Sequence, residues 1–223
     1  MEKLESALIE SWEVNGEAWI ETIKGNKIES RNLSTKKAII DNVLAYSPKK
    51  VLDMGCGEGW LARSLTSRGM DTVGIDGSQK LIQTAEEQGS GTFHLLTYDQ
   101  FINNPKSIGE SYDVVVFNFS LLSENITQIL KACSQIMDSD GTIIIQTVHP
   151  FNSQSSNYKS GWREEDFSTM GDDYVRSMPW YFRTISSWID VINESGYGLY
   201  ACKEPIHPET GQPLSLILTM KLK

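Results

Sequence analysis

Three glycines at alternate positions follow a short apolar run in residues 51–60, which read VLDMGCGEGW. Glycine tolerates sharp turns, and because it has no Cβ it lets a ligand lie directly against peptide N–H groups. The apolar spacing of the residues that follow predicts a helix, whose N-terminus favours a carboxylate or a phosphate. Gly55, Gly57 and Gly59 therefore predict a cofactor-binding loop, with a plain turn as the alternative.

Two acidic residues make the loop more specific. Asp53 lies two residues before the first glycine, and Asp76 ends a second apolar run about 20 residues further on, where a carboxylate accepts hydrogen bonds from ribose hydroxyls. Trp60 occupies the position at which dinucleotide-binding loops carry their third glycine. The charge of Asp53 would repel phosphates, but it suits a ligand with an ammonium and a sulfonium group. The pattern therefore favours a cationic cofactor over a pyrophosphate.

This Asp-x-Gly-x-Gly-x-Gly arrangement resembles the first motif of class I S-adenosylmethionine-dependent methyltransferases. The resemblance covers roughly residues 35–222, and Asp76 matches the acidic residue that ends the second strand of that family. Residues 178–183 resemble the stretch before the last helix in its small-molecule, ubiquinone-biosynthesis-like group. The apolar runs that resemble the later strands are 93–96, 112–118, 141–147, 199–204 and 214–222.

The resemblance implies an α/β fold of the doubly wound, Rossmann-like kind, with a mostly parallel seven-stranded sheet and helices on both faces. The alternation of apolar runs with helical segments supports the same architecture. We expect an N-terminal helical cover over residues 1–34 and a single S-adenosylmethionine-binding domain over 35–223. Within that domain we expect a cap insertion at about 149–183. Residues 138–141 indicate a turn before the fifth strand.

The cofactor that the resemblance implies is S-adenosyl-L-methionine, with S-adenosyl-L-homocysteine as product. We expect the adenine contact from Asp99 or from the backbone around Tyr98, because Thr97 stands where many family members carry Asp. Arg31 is the expected partner of the cofactor carboxylate. The predicted cofactor-binding residues are Arg31, Asp53, Gly55, Cys56, Gly57, Trp60, Asp76, Gly77, Tyr98, Asp99 and Asn118.

The segment 149–183 holds several aromatic residues without a helical or strand period. Long loops in compact domains are usually functional or disordered, and aromatic content argues against disorder. We interpret the segment as a cap that contacts the substrate through Trp162, Trp180, Tyr181 and Arg183, with a packed surface loop as the alternative. Arg183 suits a substrate carboxylate, and a surface ion pair is its alternative role.

Methyl transfer from a sulfonium is an in-line displacement that depends on alignment of the reacting atoms. His149, directly after the fifth strand, is the candidate catalytic base, and a structural role is its alternative. We expect a methyltransferase that acts on a small organic molecule, with oxygen as the methylated atom. The alternatives are a Rossmann-type NAD(P)-dependent oxidoreductase and a non-catalytic cofactor-binding domain.

Composition limits the partners. The 223 residues are 39% hydrophobic and carry a net charge of −9, which argues against a nucleic-acid partner. The three cysteines show no C-x-x-C spacing and no histidine pair has metal-ligand spacing, so we expect no metal. No apolar run is long enough to span a bilayer, and the N-terminus shows no secretory signal, so we expect a cytoplasmic protein without a membrane partner. The oligomeric state stays open.

Overall fold

The computed structural model of the protein describes residues 2–151, 158–170 and 173–223. The strands are β1 (Lys50–Met54), β2 (Asp71–Asp76), β3 (Thr92–Leu95), β4 (Tyr112–Asn118), β5 (Met137–Val148), β6 (Gly161–Glu165), β7 (Met178–Phe182), β8 (Tyr197–Lys203) and β9 (Ser215–Leu222). The α-helices are α1 (Glu2–Val14), α2 (Gly16–Lys24), α3 (Lys36–Leu44), α4 (Trp60–Thr66), α5 (Gln79–Gln88), α6 (Tyr98–Asn103), α7 (Thr127–Cys133) and α8 (Ile185–Glu194). A π-helical turn, Arg31–Thr35, leads directly into α3, and a 3-10 turn, Pro105–Ile108, precedes β4.

Seven strands form one sheet in the order β3-β2-β1-β4-β5-β9-β8. Strands β1 to β5 are parallel, whereas β9 runs antiparallel to both of its neighbours. The strand order reverses between β1 and β4, and in such sheets ligands bind outside the carboxyl ends of the strands at this point. The predicted doubly wound, mostly parallel sheet is confirmed, and the segments after β1, β2 and β4 meet at one edge.

The central strands are buried on both faces. In β4, residues 114–117 are fully buried, and successive side chains enter two different cores. Val115 shares one core with Trp188 of α8, whereas Val114 shares the other with Leu61 of α4. A sheet covered on both faces explains why the strands appear in the sequence as continuous apolar runs.

Strand β5 begins earlier than predicted. Residues 138–141, which we expected to form a turn, lie within the strand. Met137 pairs with Tyr112, but the next pairing joins Thr142 to Val114, so the residues between them bulge out of the ladder. Residue types that favour turns therefore produce an irregularity inside a strand here, and not a reversal of the chain.

The cap segment contains a β-hairpin, which the sequence analysis did not predict. Strands β6 and β7 pair antiparallel, with Trp162 opposite Tyr181 and Arg163 opposite Trp180. Because aromatic residues stand on both faces of this ribbon, it lacks the apolar-polar alternation that identifies a strand. Residues 152–157 and 171–172 of the predicted cap lie outside the described part of the chain.

The N-terminal helices and the cap pack together as one unit. We call this unit the cover and define it as residues 2–24, 158–170 and 173–183. The rings of Trp12 and Trp19 stack with centroids 5.0 Å apart, and Trp19 meets Phe167 and Tyr174 edge-on. These contacts join two parts of the sequence that we had expected to act separately.

The cover lies against the carboxyl edge of the sheet. Glu17 of α2 forms an ion pair with Lys80 of α5. Burial raises the pKa of Asp76 at the end of β2, and the nearby charge of Glu13 raises it further. The predicted boundary after residue 34 falls inside the π-helical turn that leads into α3. In the described residues, no helix combines the length and apolarity needed to cross a bilayer.

A buried asparagine joins the two parts of the cover, and its removal tests the unit. Asn15 Nδ2 donates to the carbonyl of Arg176 at 2.6 Å, and its Oδ1 accepts the Val175 N–H at 3.0 Å. We expect Asn15→Ala to speed amide hydrogen exchange in residues 173–178 by about tenfold or more, because two buried bonds are lost. Exposed Asn193→Ala is the control, and equal exchange in both variants would contradict the joint cover.

Candidate functional site

The glycine loop is tied to the end of β2. Gly55 and Cys56 both donate their N–H groups to the carbonyl of Ile75, at 2.8 and 2.9 Å. Gly57 donates to Asp76 Oδ2 at 2.9 Å, and Asp76 Oδ1 accepts the Ser78 N–H at the same distance. The Gly77 N–H also bonds to this carboxylate, but its two oxygens offer about four acceptor sites, so Asp76 holds the loop and remains able to accept from a ligand.

The three glycines have different reasons to be glycine, although all have positive φ. A Cβ at Gly59 would lie 2.7 Å from the ring of Phe93, and one at Gly55 would lie 2.5 Å from Ser120 Cβ. At Gly57 a Cβ would meet no described atom within 4 Å. Gly55 and Gly59 are therefore required by packing, whereas Gly57 faces open space that a ligand can occupy.

The carboxyl group of Asp53 lies beneath the loop. The residue is 1% exposed, the Ala62 N–H in α4 donates to its carboxyl group, and Oδ2 has no hydrogen-bond partner among the described residues. Burial, together with the charge of Asp76, raises the pKa of Asp53 from 3.8 to about 7. A buried acceptor without a partner is costly unless a ligand or a water satisfies it.

The turn after β4 borders the same crevice. Asn118 Oδ1 is buried and lacks a partner in the described chain. Phe119 adopts a φ of +56°, which is strained for a residue with a side chain, and its N–H donates to the carbonyl of Gln146. Ser120 Oγ donates to the carbonyl of Met54, so this turn packs directly onto the end of β1.

Tyr98 and Asp99 differ from the expected adenine turn. Residue 98 begins α6, and Thr97 caps this helix with Gln100 in a reciprocal capping box. The Tyr98 hydroxyl reaches back under the glycine loop to the carbonyls of Met54 and Ser120, at 3.2 and 3.3 Å. Tyr98 therefore supports the loop from below, while exposed Asp99 lies in the first turn of the helix.

Arg31 and Trp60 are brought together from separate segments. The guanidinium of Arg31 lies over the Trp60 ring, 4.5 Å from its centroid, and burial lowers the pKa of Arg31. Arg31 begins the π-helical turn, a type of distortion that occurs often at functional sites. The Cys56 side chain points into the core beside Gly74, so only its backbone can face a ligand. Gly77 is exposed beside Thr97.

Three of the predicted substrate residues surround the turn after β4, and Glu124 in that turn was not predicted. Trp162 Nε1 donates to Glu124 Oε2 at 3.2 Å, and the Trp162 ring meets Tyr181 edge-on. Arg183 Nη2 donates to the carbonyls of Ser123 and Glu124. Arg183 is 3% exposed, so it is not the surface ion pair that we considered as an alternative.

Trp180 differs from these three residues. It stands on the other face of the hairpin, where its ring meets Phe182 edge-on. The register of the hairpin could not be read from the sequence, so all four aromatic and basic residues had appeared equivalent. The position of Glu124 after the fourth strand, at the point where the strand order reverses, is the one signal that could have identified it.

His149 is 4% exposed and uses both ring nitrogens. Its Nδ1 accepts the Phe151 N–H at 3.1 Å, and its Nε2 lies 2.8 Å from Glu204 Oε1. With Nδ1 accepting, the proton lies on Nε2 and is donated to the glutamate. The carboxylate follows β8 at the far side of the sheet from β1. This geometry disfavours His149 as a catalytic base.

The crevice suits a cationic ligand. Its buried, unpartnered atoms beside the loop are all oxygen acceptors, namely Asp53 Oδ2, Glu58 Oε1 and Asn118 Oδ1. In the described part of the chain no group of His, Cys, Asp and Glu side chains could hold a metal ion. An organic cation with ribose hydroxyls would satisfy these acceptors together with Asp76.

A family model described as a methyltransferase domain matches residues 31–195, which is well over half of the chain. The chain belongs to this methyltransferase domain family. The match begins at Arg31, so it includes the glycine loop, both carboxylates and the hairpin. The fold and the methyltransferase family are those that the sequence analysis predicted.

Individual relatives agree with this assignment. This chain is 26% identical over 148 residues to the ubiquinone biosynthesis O-methyltransferase of Dechloromonas aromatica, and the alignment covers 62% of this chain and 57% of that protein. The plantazolicin methyltransferase BamL, solved with S-adenosylhomocysteine, superposes with a TM-score of 0.68 at 15% identity over 99% of this chain and 97% of that one. The magnesium protoporphyrin IX methyltransferase of Synechocystis was also solved with S-adenosylhomocysteine. It superposes with a TM-score of 0.56 at 16% identity, over 84% of this chain and 81% of that one.

This chain aligns with less than two thirds of the length of its curated relatives. Its alignments span between 57% and 64% of four such proteins, among them an uncharacterized methyltransferase of Schizosaccharomyces pombe. The structural neighbours at these low identities demonstrate the fold alone. Substrate and reaction details therefore need separate support from this chain.

The open space at Gly57 generates a direct test. We expect Gly57→Ala to weaken binding of S-adenosylhomocysteine by about tenfold or more in calorimetry, because the new Cβ enters the space left for the ligand. Gly69→Ala is the matched control, since Gly69 also has positive φ and an open Cβ position but follows α4. Similar affinities in the two variants would mean that the loop does not form the cofactor floor.

The raised pKa of Asp53 predicts how stability depends on pH without ligand. Between about pH 4 and 7 the folded chain keeps a proton on Asp53 that the unfolded chain releases, so this group lowers stability as the pH rises. Relative to Asp53→Asn, the wild-type free energy of unfolding should fall by about 2 to 3 kcal/mol between about pH 5 and 8. Urea denaturation measures this difference, and parallel pH profiles would contradict it.

Proposed function

We propose that this protein transfers the methyl group of S-adenosylmethionine to an oxygen atom of a small organic molecule. The observation that carries the proposal is the open cradle at Gly57. It is bordered by the Asp76 carboxylate and supported by a buried, unpartnered Asp53 oxygen. When bound, the cofactor supplies an electrophilic methyl group on a positively charged sulfur.

Different side chains bind different parts of the cofactor in this proposal. Asp76 accepts from the ribose hydroxyls with the lone pairs that Gly57 and Ser78 leave free. Asp53 and Asn118 offer acceptors to the cationic methionine part. Arg31, held over Trp60, offers a guanidinium to the methionine carboxylate. Each of these assignments follows from the charge and position of the side chain.

The cover acts on the acceptor side. Its aromatic side chains lie against the turn after β4, through the bond from Trp162 to Glu124 and the bond from the Tyr181 N–H to the carbonyl of Leu122. Such a cover excludes water and holds an acceptor in line with the methyl group. This alignment of the reacting atoms supplies much of the acceleration of a displacement reaction. The relative from Dechloromonas aromatica, named an O-methyltransferase, supports oxygen as the methylated atom.

His149 receives a positioning role in this proposal. A base must offer a free lone pair to the acceptor hydroxyl, and Nδ1 of His149 is already used by the Phe151 N–H. The bond to Glu204 instead joins the end of β5 to the segment after β8. An acceptor that is ionised before it binds needs no proton transfer from the protein.

Cofactor binding is tested first and apart from catalysis. Wild-type protein should bind S-adenosylhomocysteine in calorimetry, and Asp76→Ala should bind it about 10- to 100-fold more weakly, because ribose hydrogen bonds and the anchor of Gly57 are both lost. Asp71→Ala at the exposed start of β2 is the control. Binding of a nicotinamide dinucleotide in place of S-adenosylhomocysteine would support the oxidoreductase alternative instead.

Transfer is tested with S-adenosylmethionine that carries a deuterated methyl group. The protein is incubated with a metabolite extract, and mass spectrometry identifies molecules that gain the labelled group. We expect a labelled methyl ether or ester in one small molecule. A label on nitrogen or carbon would contradict the choice of oxygen, and cofactor binding without any labelled product would support a non-catalytic domain.

A further inference from the structure

In the part of the chain that the structure describes, most buried polar side-chain atoms without a hydrogen-bond partner belong to one of two chemical kinds, according to their place. Beside the glycine loop they are the oxygen acceptors of Asp53, Glu58 and Asn118. In the cover they are nitrogen donors, Trp19 Nε1 and Arg183 Nη1. The remaining such atoms belong to the side chains of Thr66, Thr72 and Gln146. The atoms beside the glycine loop would therefore be satisfied by a cationic ligand, whereas those in the cover would be satisfied by a ligand that accepts hydrogen bonds.

Arg183 is the stronger of the two donors because it carries a charge. It follows β7 directly, and its guanidinium carbon lies 4.8 Å from the centroid of Tyr181 and 5.1 Å from that of Trp188. Nη2 donates to the carbonyls of Ser123 and Glu124, but Nη1 has no partner among the residues that the structure describes. Burial lowers the pKa of Arg183 to about 10, so the group is still charged at neutral pH.

No described carboxylate forms an ion pair with this guanidinium. Glu5 and Glu124 are near enough for their charges to raise its pKa against the effect of burial. However, Glu5 Oε1 accepts the Glu124 N–H, and Glu124 Oε2 accepts Trp162 Nε1. A buried cation held only by carbonyls and rings is costly, and an anionic group brought by a ligand would remove that cost.

We propose that the acceptor molecule is an aromatic carboxylate and that Arg183 Nη1 binds its carboxylate group. This inference rests on the proposed methyl transfer and specifies its substrate class. Arg183 holds the turn that follows Asn118 at the end of β4, and we therefore place the anion where the cover meets the cofactor crevice. The rings of Tyr181 and Trp162 offer flat apolar surfaces to an aryl group beside that anion.

A purely structural role for Arg183 makes a different prediction. In that case the guanidinium would only hold the turn after β4, and its replacement would lower stability without changing any preference among ligands. The carboxylate role requires that a small aryl anion binds better than its neutral counterpart, and that this preference depends on Arg183. Stability and ligand preference are therefore measured separately.

Benzoate and benzamide are the probes, because they have nearly the same shape and differ in charge. Each is titrated into protein saturated with S-adenosylhomocysteine, and binding is followed by the indole N–H signals of Trp162 and Trp188 in ¹⁵N NMR spectra. We expect benzoate to bind about 10- to 100-fold more tightly than benzamide. Arg183→Gln should abolish the difference and Arg183→Lys should keep part of it, while both still bind S-adenosylhomocysteine. Arg176→Gln, at a cation already paired with Glu10, should preserve the wild-type preference.

Each other outcome overturns the inference in a recognisable way. Equal binding of the two probes, no binding of benzoate, or a preference that survives in Arg183→Gln would exclude the carboxylate role while the proposed function stands. Failure of the wild-type protein to bind S-adenosylhomocysteine would instead reject the proposed function itself. A labelled product whose unlabelled precursor carries no carboxylate group would also reject the carboxylate class.

Discussion

The site depends on one carboxylate that joins two strand ends. Asp76 accepts the Gly57 N–H with one oxygen and the Ser78 N–H with the other, so the end of β2 determines the conformation of the loop that follows β1. Without this anchor, Gly57, which has a positive φ, would lose the side-chain contact that holds it. The same group can still accept from a ligand, so the proposed recognition of the cofactor falls to the side chain that also supports the loop.

The carboxylates buried beneath the glycine loop lower the stability of the free protein. Asp53 and Asp76 lie close to Glu58, which is paired with Arg63, and burial raises the pKa of both aspartates. Removing the charges of the two aspartates from water weakens the free protein unless a counter-charge is supplied. In the proposed complex a sulfonium or ammonium group supplies it, so binding would offset part of the electrostatic cost that the free chain carries. In the cover the buried charge is positive and belongs to Arg183.

The sequence predicted the parts of the site whose geometry is local. Gly57 and Asp76 could be placed because strand, loop and helix follow one another along the chain, and spacing alone brings them together. The helix that begins at Tyr98 was not predicted, although the reciprocal cap formed by Thr97 and Gln100 was readable from the sequence. The surroundings of His149 could not be predicted, because its partner Glu204 follows a strand 55 residues away and reaches it only through the order of the sheet. The hairpin was missed because both of its faces are aromatic.

The cover has a consequence for the order of folding. Asn15 forms hydrogen bonds with Val175 and Arg176, which lie 160 and 161 positions away in the sequence. The hydrogen bond from Tyr174 to Thr22 spans 152 positions. Contacts so distant in sequence form late, because a long loop must close before they contribute. During synthesis α1 and α2 emerge before the strands of the sheet but find their packing partners only after β7 has been made. The parallel sheet can therefore assemble before the cover closes, and the unpaired aromatic face of α1 and α2 is the part of the nascent chain most exposed to aggregation.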